Sequence, residues 1–406
     1  LSWFVAVVGL AFLVLIHEAG HFYVARALGM RPRRFYVGFP PAVVKHTRNG
    51  IEYGIGAIPL GGYVKIPGMH RPAPSDMDTH LSAAVHEAPA IVGPFEHVKR
   101  RLARGEFEPT ADVDALEAAV ARARLSPQAR RAAERGLREL RDGLSADAYW
   151  RAAIWKRVAV IFAGPGTNLV FAVVLLAVVL MVGVRVATLT VGEVSPGSPA
   201  DLAGLREGDR IYAVDGSRVD DFEELYTAVQ DSQGRALSFS VDREGLRKHF
   251  SVMPTQYYGE NWAIGFRPRG RRERYGPVDA FGIALERTWF VTKAIGAAFA
   301  RLATGEGRDE ISSPVGITRV SSEAVESDFR VYLQLLAFIS LSLALLNLLP
   351  LLPLDGGHIA FSIIEGIRRR AVGREVYERV SIVGIALVLM LFFIGLSNDL
   401  GGRGPG

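Results

Sequence analysis

The chain has 406 residues, 49% of them hydrophobic and 22% charged, no cysteine, and a net charge of +5. A mean hydropathy of +0.20 is high for so charged a sequence, and it points to several membrane spans joined by polar domains. The missing cysteine excludes disulfides and thiolate metal sites. The arginines largely flank apolar runs, so the basic balance reads as membrane topology and excludes nucleic acid as a partner.

The sequence opens on Leu1 rather than Met, so further residues are expected ahead of it. A first apolar run from Trp3 to about Leu28 carries "IHEAGHF". A cleaved signal peptide is the alternative, because "ARA" at Ala25–Ala27 resembles a small-x-small cleavage site. Against it, no basic segment precedes the run, and the run continues through Phe22, Tyr23 and Val24. In a helix His17 and His21 share a face, with Glu18 beside them, which is the spacing of a zinc-hydrolase site. Two histidines and a glutamate are costly at membrane depth and are functional there by default. Zinc binding worth ~10 kcal/mol or more offsets that cost.

Residues 31–79 predict a β-hairpin turning at Asn49-Gly50, with Ile51 to Lys65 as its second strand. Residues 80–150 read as amphipathic helices of mixed charge, a solvated insertion. Residues 151–185 hold a second span, Val158 to Val184. The segment 186–256 reads as a soluble α+β module. It runs strand, short helix after Pro199, strand with an Asp215-Gly216 turn, helix, then hairpin, closing near Pro254. Within 257–327, the helix "PVDAFGIALERTWFVTKAIGAAFARLATG" carries Glu286, Arg287 and Lys293 at its middle. Each such charge costs ~2.5–3.5 kcal/mol at a span centre, so this helix is expected to lie on the membrane.

Residues 328–375 contain a third span, Val331 to about Leu349, and 376–406 a fourth, Val380 to Leu396, followed by a tail. The expected fold is therefore a polytopic α-helical membrane protein of four spans with an inserted α+β domain and a β-hairpin. Arg31, Arg33, Arg34, Arg151, Lys156 and Arg157 flank the first loop; Arg368, Arg369, Arg370 and Arg374 flank the last. After the fourth span only Arg403 follows. The positive-inside rule puts both basic loops in the cytoplasm, with the termini and the segment 185–327 outside.

A catalytic zinc takes three protein ligands and keeps one position open. Nothing suitable closely follows His21, and "NLLPLLPLDGGHIAF" offers the best third ligand. Pro350 and Pro353 interrupt the third span, and Gly356-Gly357 allow a tight turn, so Asp355 can be presented where the helix breaks. An ordinary Asp-Gly turn at the interface is the alternative for this segment taken alone.

Taken together, "HEAGH", "FAGPGTNLVFA", "SPVGI" and "NLLPLLPLDGG" resemble the site-2 protease family of intramembrane zinc metalloproteases, and narrowly its bacterial members with a single PDZ domain. The resemblance implies one zinc ion per chain, His17, His21 and Asp355 as ligands, Glu18 as general base, and Asn347 holding substrate backbone or the developing oxyanion. "VGFPPAVVKHTRNGIEYGIGAIPLGGYVKIPGM" resembles the family's membrane-associated hairpin, with Pro40 where a glycine is common. An edge at Gly61, Gly62 and Tyr63 could bind extended substrate by strand addition, or the hairpin could merely cover the site. "SPADLAGLREGDRI" resembles the bacterial PDZ pattern, whose groove would lie near Gly204 and Leu205. That module either captures peptide or filters by size. The implied setting is a bacterial inner membrane, with the PDZ domain outside and the catalytic site near the cytoplasmic side. Implied partners are the bilayer, single-pass membrane protein substrates and an upstream site-1-type protease. A zinc carrier would not require Glu18, and an inactive scaffold would be expected to have lost a residue of the set.

Overall fold

A computed structural model describes residues 1–108, 111–256, 261–305, 307–308 and 311–401. The tail from 402 on, including Arg403 of the charge argument, lies outside the described residues. Two compact units emerge: Leu1–Leu176 with Ile283–Gly406, and Ala177–Gly282.

The first unit is built on helices α1 (Ser2–Ala27), α6 (Ile154–Val182), α11 (Phe329–Asn347) and α13 (Arg374–Leu400). These supply 4 stretches long and apolar enough to cross a membrane, as the apolar runs predicted. At one end of the bundle, Lys156 Nζ donates to Leu28 O at 3.4 Å, and Arg157 Nη2 meets Glu365 Oε2 at 2.6 Å. Toward the other end, Tyr332 donates to Val5 O at 3.0 Å, and Asp399 Oδ2 accepts from the Ser313 amide at 2.8 Å. The last contact seats α13 on the first turn of α10 (Pro314–Ser327), where helix N-terminal amides favour a carboxylate. It gives "SPVGI" a structural role.

After α1, strands β1 (Arg34–Arg48) and β2 (Ile51–Lys65) join through Asn49-Gly50, both with positive φ (51° and 77°). The ribbon folds on itself: Tyr36 pairs with Gly54 on one side and with Tyr63 on the other. Phe39, Val43, Val44, Ile55 and Ile58 stand exposed on it.

Helices α2 (Pro74–Glu87), α3 (Val92–Ala103), α4 (Ala111–Arg122) and α5 (Pro127–Leu144) follow. They close on a core that includes Leu81, Ile91, Leu116 and Leu137. The helical part thus begins at Pro74, and it is a packed subdomain with its own core rather than a set of solvated helices. Arg33 fastens it to the hairpin, reaching Asp142 Oδ1 and Asp147 Oδ2 at 2.9 Å each, while Lys65 Nζ meets Asp142 Oδ2 at 2.7 Å.

The second unit contains β3 (Val184–Val194), α7 (Pro199–Leu202), β4 (Arg210–Val214), β5 (Ser217–Arg218) and α8 (Phe222–Asp231). Strands β6 (Leu237–Arg243), β7 (Leu246–Val252), β8 (Thr255–Gln256), β9 (Trp262–Ala263) and β10 (Phe266–Glu273) complete it. The sheet runs in the order β10-β3-β4-β6-β7, with β5 on β4. Its core is Val191, Ile211, Leu225, Phe239 and Val241, with neighbours from α7 and α8. Helix α9 (Pro277–Thr304) leads back to the first unit's α10, α11, α12 (Asp355–Arg368) and α13.

Asp209 is fully buried in this second unit, gripped by Arg243 Nε and Nη2 at 2.7 Å each and by the Arg206 amide at 2.8 Å. Burial alone would raise its pKa; the Arg243 guanidinium and that amide more than offset it and hold the carboxyl below its usual value. A carboxyl depressed on folding stabilises the native state above its unfolded pKa, ~3.9, and that stabilisation is lost as pH falls through the folded pKa. Arg243→Ala leaves a buried charge unpaired and should destabilise the unit by ~3–5 kcal/mol at neutral pH. Hydrogen exchange of β4 and β6 in the full chain checks this; unchanged protection would show that the pair contributes nothing.

Candidate metal centre

The apolar faces of α1 and α6 can approach closely because glycine lies where they touch. A Cβ on Gly20 would sit 2.4 Å from Ala163 O, so no larger residue fits there without moving α6. Thr167 of α6 ties the helices further, donating to Ile16 O at 3.1 Å. This contact buries His17 and His21 to 6% and 7% exposure.

Asp355 arrives from a break in the chain. Helix α11 ends at Asn347, and α12 begins with Asp355 in its first turn, where the helix dipole favours a carboxylate. The loop between them folds back over that turn. A Cβ on Gly356 would lie 2.3 Å from both Leu348 O and Leu349 O, and one on Gly357 would lie 2.5 Å from Leu352 N. The Gly-Gly pair is thus required by a backbone crossing. Gly384 of α13 supports the same loop, with no room for a Cβ against Leu352 O.

The result is a convergence of three donor atoms. His17 Nε2 and His21 Nε2 are 3.2 Å apart, and Asp355 Oδ2 lies 3.1 and 3.3 Å from them. His21 Nδ1 donates to Val160 O at 2.8 Å, which leaves the Nε2 lone pair facing the cluster. Asp355 Oδ2 is buried without a hydrogen bond of proper geometry. Two imidazole nitrogens and a carboxylate oxygen pressed together repel one another unless a proton or a metal cation lies among them. The donor set suits zinc, and no other such group occurs among the described residues.

Glu18 stands beside the cluster, under the hairpin. The Val64 amide hydrogen-bonds it, and a Cβ on Gly62 would lie 2.4 Å from its Cγ. Gly62 is therefore the position that lets β2 pass over Glu18. Gly61 adopts φ 91°, with Phe39 directly against it, and the Tyr63 ring lies tilted against Tyr36 at 6.1 Å between centroids. Asn347 is not drawn into the cluster: its Nδ2 donates to Leu343 O of its own helix at 3.0 Å, with one N–H left over.

Gly204 and Leu205 need correction as groove residues. Leu205 is 3% exposed, within the second unit's core, and its amide bonds Ala200 O at 2.9 Å. The Gly204 amide is likewise taken, by Asp201 O at 2.9 Å. A peptide carboxylate would find neither amide free, so these two amides do not form a carboxylate-binding nest.

Two partners of the cluster were missed by the sequence reading. Asn168 of α6 is fully buried, with its amide 3.4 Å from His17 Nδ1 and its Oδ1 without a partner. Exchanging the amide O and N, which have the same shape, lets Oδ1 accept from His17 Nδ1–H. A largely apolar span with one asparagine at its middle is a signal that could have found it. Gly164 is the other: a Cβ there would lie 2.3 Å from His21 Nε2 and 2.8 Å from His17 Nε2.

The comparisons with known proteins agree. A sequence model described as peptidase family M50 matches residues 5–391. A Brucella suis protein that carries the name zinc metalloprotease is 30% identical over 96% of this chain and 93% of its own length. A Lactococcus lactis protein bearing the same name is 28% identical, with 96% and 95% covered. The Enterococcus faecalis protein named protease eep is 28% identical, with 98% and 97% covered.

The glycine contact makes a direct prediction. Gly164→Ala should lower the zinc content of the purified chain well below one per molecule while leaving helix content and expression unchanged. Full zinc occupancy in that variant would mean that α6 does not confine the two imidazoles.

Proposed function

Since the chain belongs to peptidase family M50, the site-2 protease family, and is a zinc metallopeptidase of the membrane, we propose that it hydrolyses peptide bonds within or near the transmembrane segments of substrates already trimmed outside the membrane. The single observation that carries this reading is the position of the donor cluster. His17 and His21 lie in one membrane-length helix, and Asp355 comes from the break after another.

In this reading His17, His21 and Asp355 hold one zinc ion, with Asn168 and Val160 O fixing the imidazole tautomers. When bound, zinc supplies a Lewis acid and lowers the pKa of a bound water to ~7. Glu18 accepts a proton from the attacking water and delivers it to the leaving amine. The remaining N–H of Asn347 is directed to the substrate backbone or the oxyanion that develops there. A helical substrate shields its own peptide bonds and must unwind first. The β2 segment Gly61–Val64 beside Glu18 supports capture of the unwound strand by edge pairing. The exposed Phe39, Val43 and Ile58 support contact of the hairpin with lipid.

Glu18→Gln should keep zinc and lose ~100-fold or more of the peptidase rate, because the ligands remain while the proton carrier goes. Asp355→Ala should lose zinc as well. In cells, Glu18→Gln should accumulate membrane stubs that lack their outer domains; accumulation of intact-length membrane proteins would refute the pre-trimmed substrate.

We further assign the unit around residues 186–256 to a PDZ-like module on the outer face of a bacterial inner membrane, and the helical subdomain to the cytoplasm. The basic residues flanking the first and last loops support that orientation. The chain lacks cysteine, so introduced thiols report cleanly. In intact cells with an opened outer layer, Ser217→Cys should react with an impermeant thiol reagent and Ser126→Cys should not. The opposite pattern would invert the topology.

A further inference from the structure

The run Arg368–Arg370 served above only to orient the chain, yet it borders a cavity that the proteolytic reading does not use. A cleft of about 190 Å³ opens where α6 begins, α12 ends and α13 starts. Four guanidinium groups line it: Arg71, Arg157, Arg369 and Arg370. One carboxylate, Glu365, faces them, and it is already spent. Its Oε2 accepts from Arg157 at 2.6 Å and its Oε1 from the Val372 amide at 2.9 Å.

The cations are arranged rather than merely crowded. Arg71 lies over two adjoining aromatic rings, 4.8 Å from Trp150 and 5.2 Å from Phe107, which fixes its position without neutralising it. Arg157 is 8% exposed, and its Nε has no hydrogen-bond partner. Arg71, Arg369 and Arg370 have no ion pair among the described residues. Like charges gathered in one cleft repel, and an anion with several acceptor oxygens relieves that repulsion. Guanidinium forks match phosphate geometry.

The surroundings identify the source of the anion. Ile367 of α12 is 79% exposed and Val376 of α13 is 49% exposed, giving apolar surface next to the cleft. Trp150 and Tyr377 line it, the residue types that settle at headgroup depth. A basic pocket between membrane helices with an apolar flank suits a charged headgroup joined to acyl chains.

We propose that this cleft binds the phosphodiester headgroup of an anionic phospholipid. The site bears on the metal centre through the chain. Arg157 lies one helical turn before Val160, whose carbonyl holds His21, and Glu365 lies on the helix that begins with Asp355. Bound phosphodiester offsets the repulsion at the junction of α6 and α12, and so braces the two elements that bring the donors together.

The test uses the full zinc-loaded chain in neutral detergent. Phosphatidylglycerol, phosphatidylcholine and inorganic phosphate are compared for retention in native mass spectrometry and for thermal stabilisation. Phosphatidylglycerol should be retained at least tenfold better than phosphatidylcholine and should raise Tm. Arg369→Gln with Arg370→Gln, two exposed positions, should abolish that preference without lowering the lipid-free Tm. Arg71→Gln should weaken it separately. Arg267→Gln with Arg269→Gln, on β10, should leave it intact. Equal retention of the two lipids, or a preference that survives the Arg369/Arg370 pair, overturns the proposal. Inorganic phosphate that stabilises as well as phosphatidylglycerol overturns the lipid assignment in favour of a soluble anion.

Discussion

Three lone-pair donors held against one another in a buried place are the constraint around which the rest of this structure is arranged. His17 Nε2, His21 Nε2 and Asp355 Oδ2 lie within 3.1–3.3 Å of each other, close enough to share one cation, a metal ion or a proton. Without a shared metal ion or proton the arrangement is repulsive and favours parting of the helices that carry it. The fold around it works to prevent that parting. Val160 O sets the tautomer of His21, Thr167 ties α6 to Ile16, and Ser340 of α11 donates to Asn168 O at 2.9 Å.

Close approach of backbone is the means. Apolar helices in lipid gain no hydrophobic free energy by meeting, so small residues and short polar contacts must hold them. Gly20 and Gly164 let α6 lie against the metal-binding face of α1. Gly356 and Gly357 let the loop after α11 cross the first turn of α12, and Gly384 makes room for that loop on α13. Irregular backbone at such depth is tolerated only where protein or water covers it, and here α13 covers it. Gly62 does the same for the hairpin, placing a strand edge over Glu18. The donor cluster, Glu18 and a candidate substrate rail are thus brought together by positions that have no side chain.

Much of this was legible in the sequence because its signals are local. His17, Glu18 and His21 share one helical turn, and the apolar runs marking the four spans are long. Asp355 could be chosen because prolines and glycines announced the helix break beside it. What stayed hidden depends on contacts between distant segments. The partnership of Asn168 with His17 spans 151 positions in the chain. The folded-over hairpin pairs Tyr36 on two sides, which no alternation of residues reveals. The docking of α2–α5 onto the hairpin runs through Arg33, whose charge in the sequence signals only topology, and through Lys65. Leu205 misled because its motif was matched to a groove, whereas its side chain fills the module's core.

The central claim is a zinc ion held by two imidazoles and one carboxylate within a membrane-embedded helix pair. X-ray absorption at the zinc edge, taken on the purified chain in detergent, reads that coordination directly. The account predicts about one zinc per molecule in a four-coordinate shell of nitrogen and oxygen only, with multiple-scattering features of two imidazoles. In Asp355→Asn the oxygen contribution should weaken while the two-imidazole pattern persists in whatever zinc remains. A shell with three imidazoles, or a wild-type spectrum unchanged in Asp355→Asn at full zinc content, would contradict it.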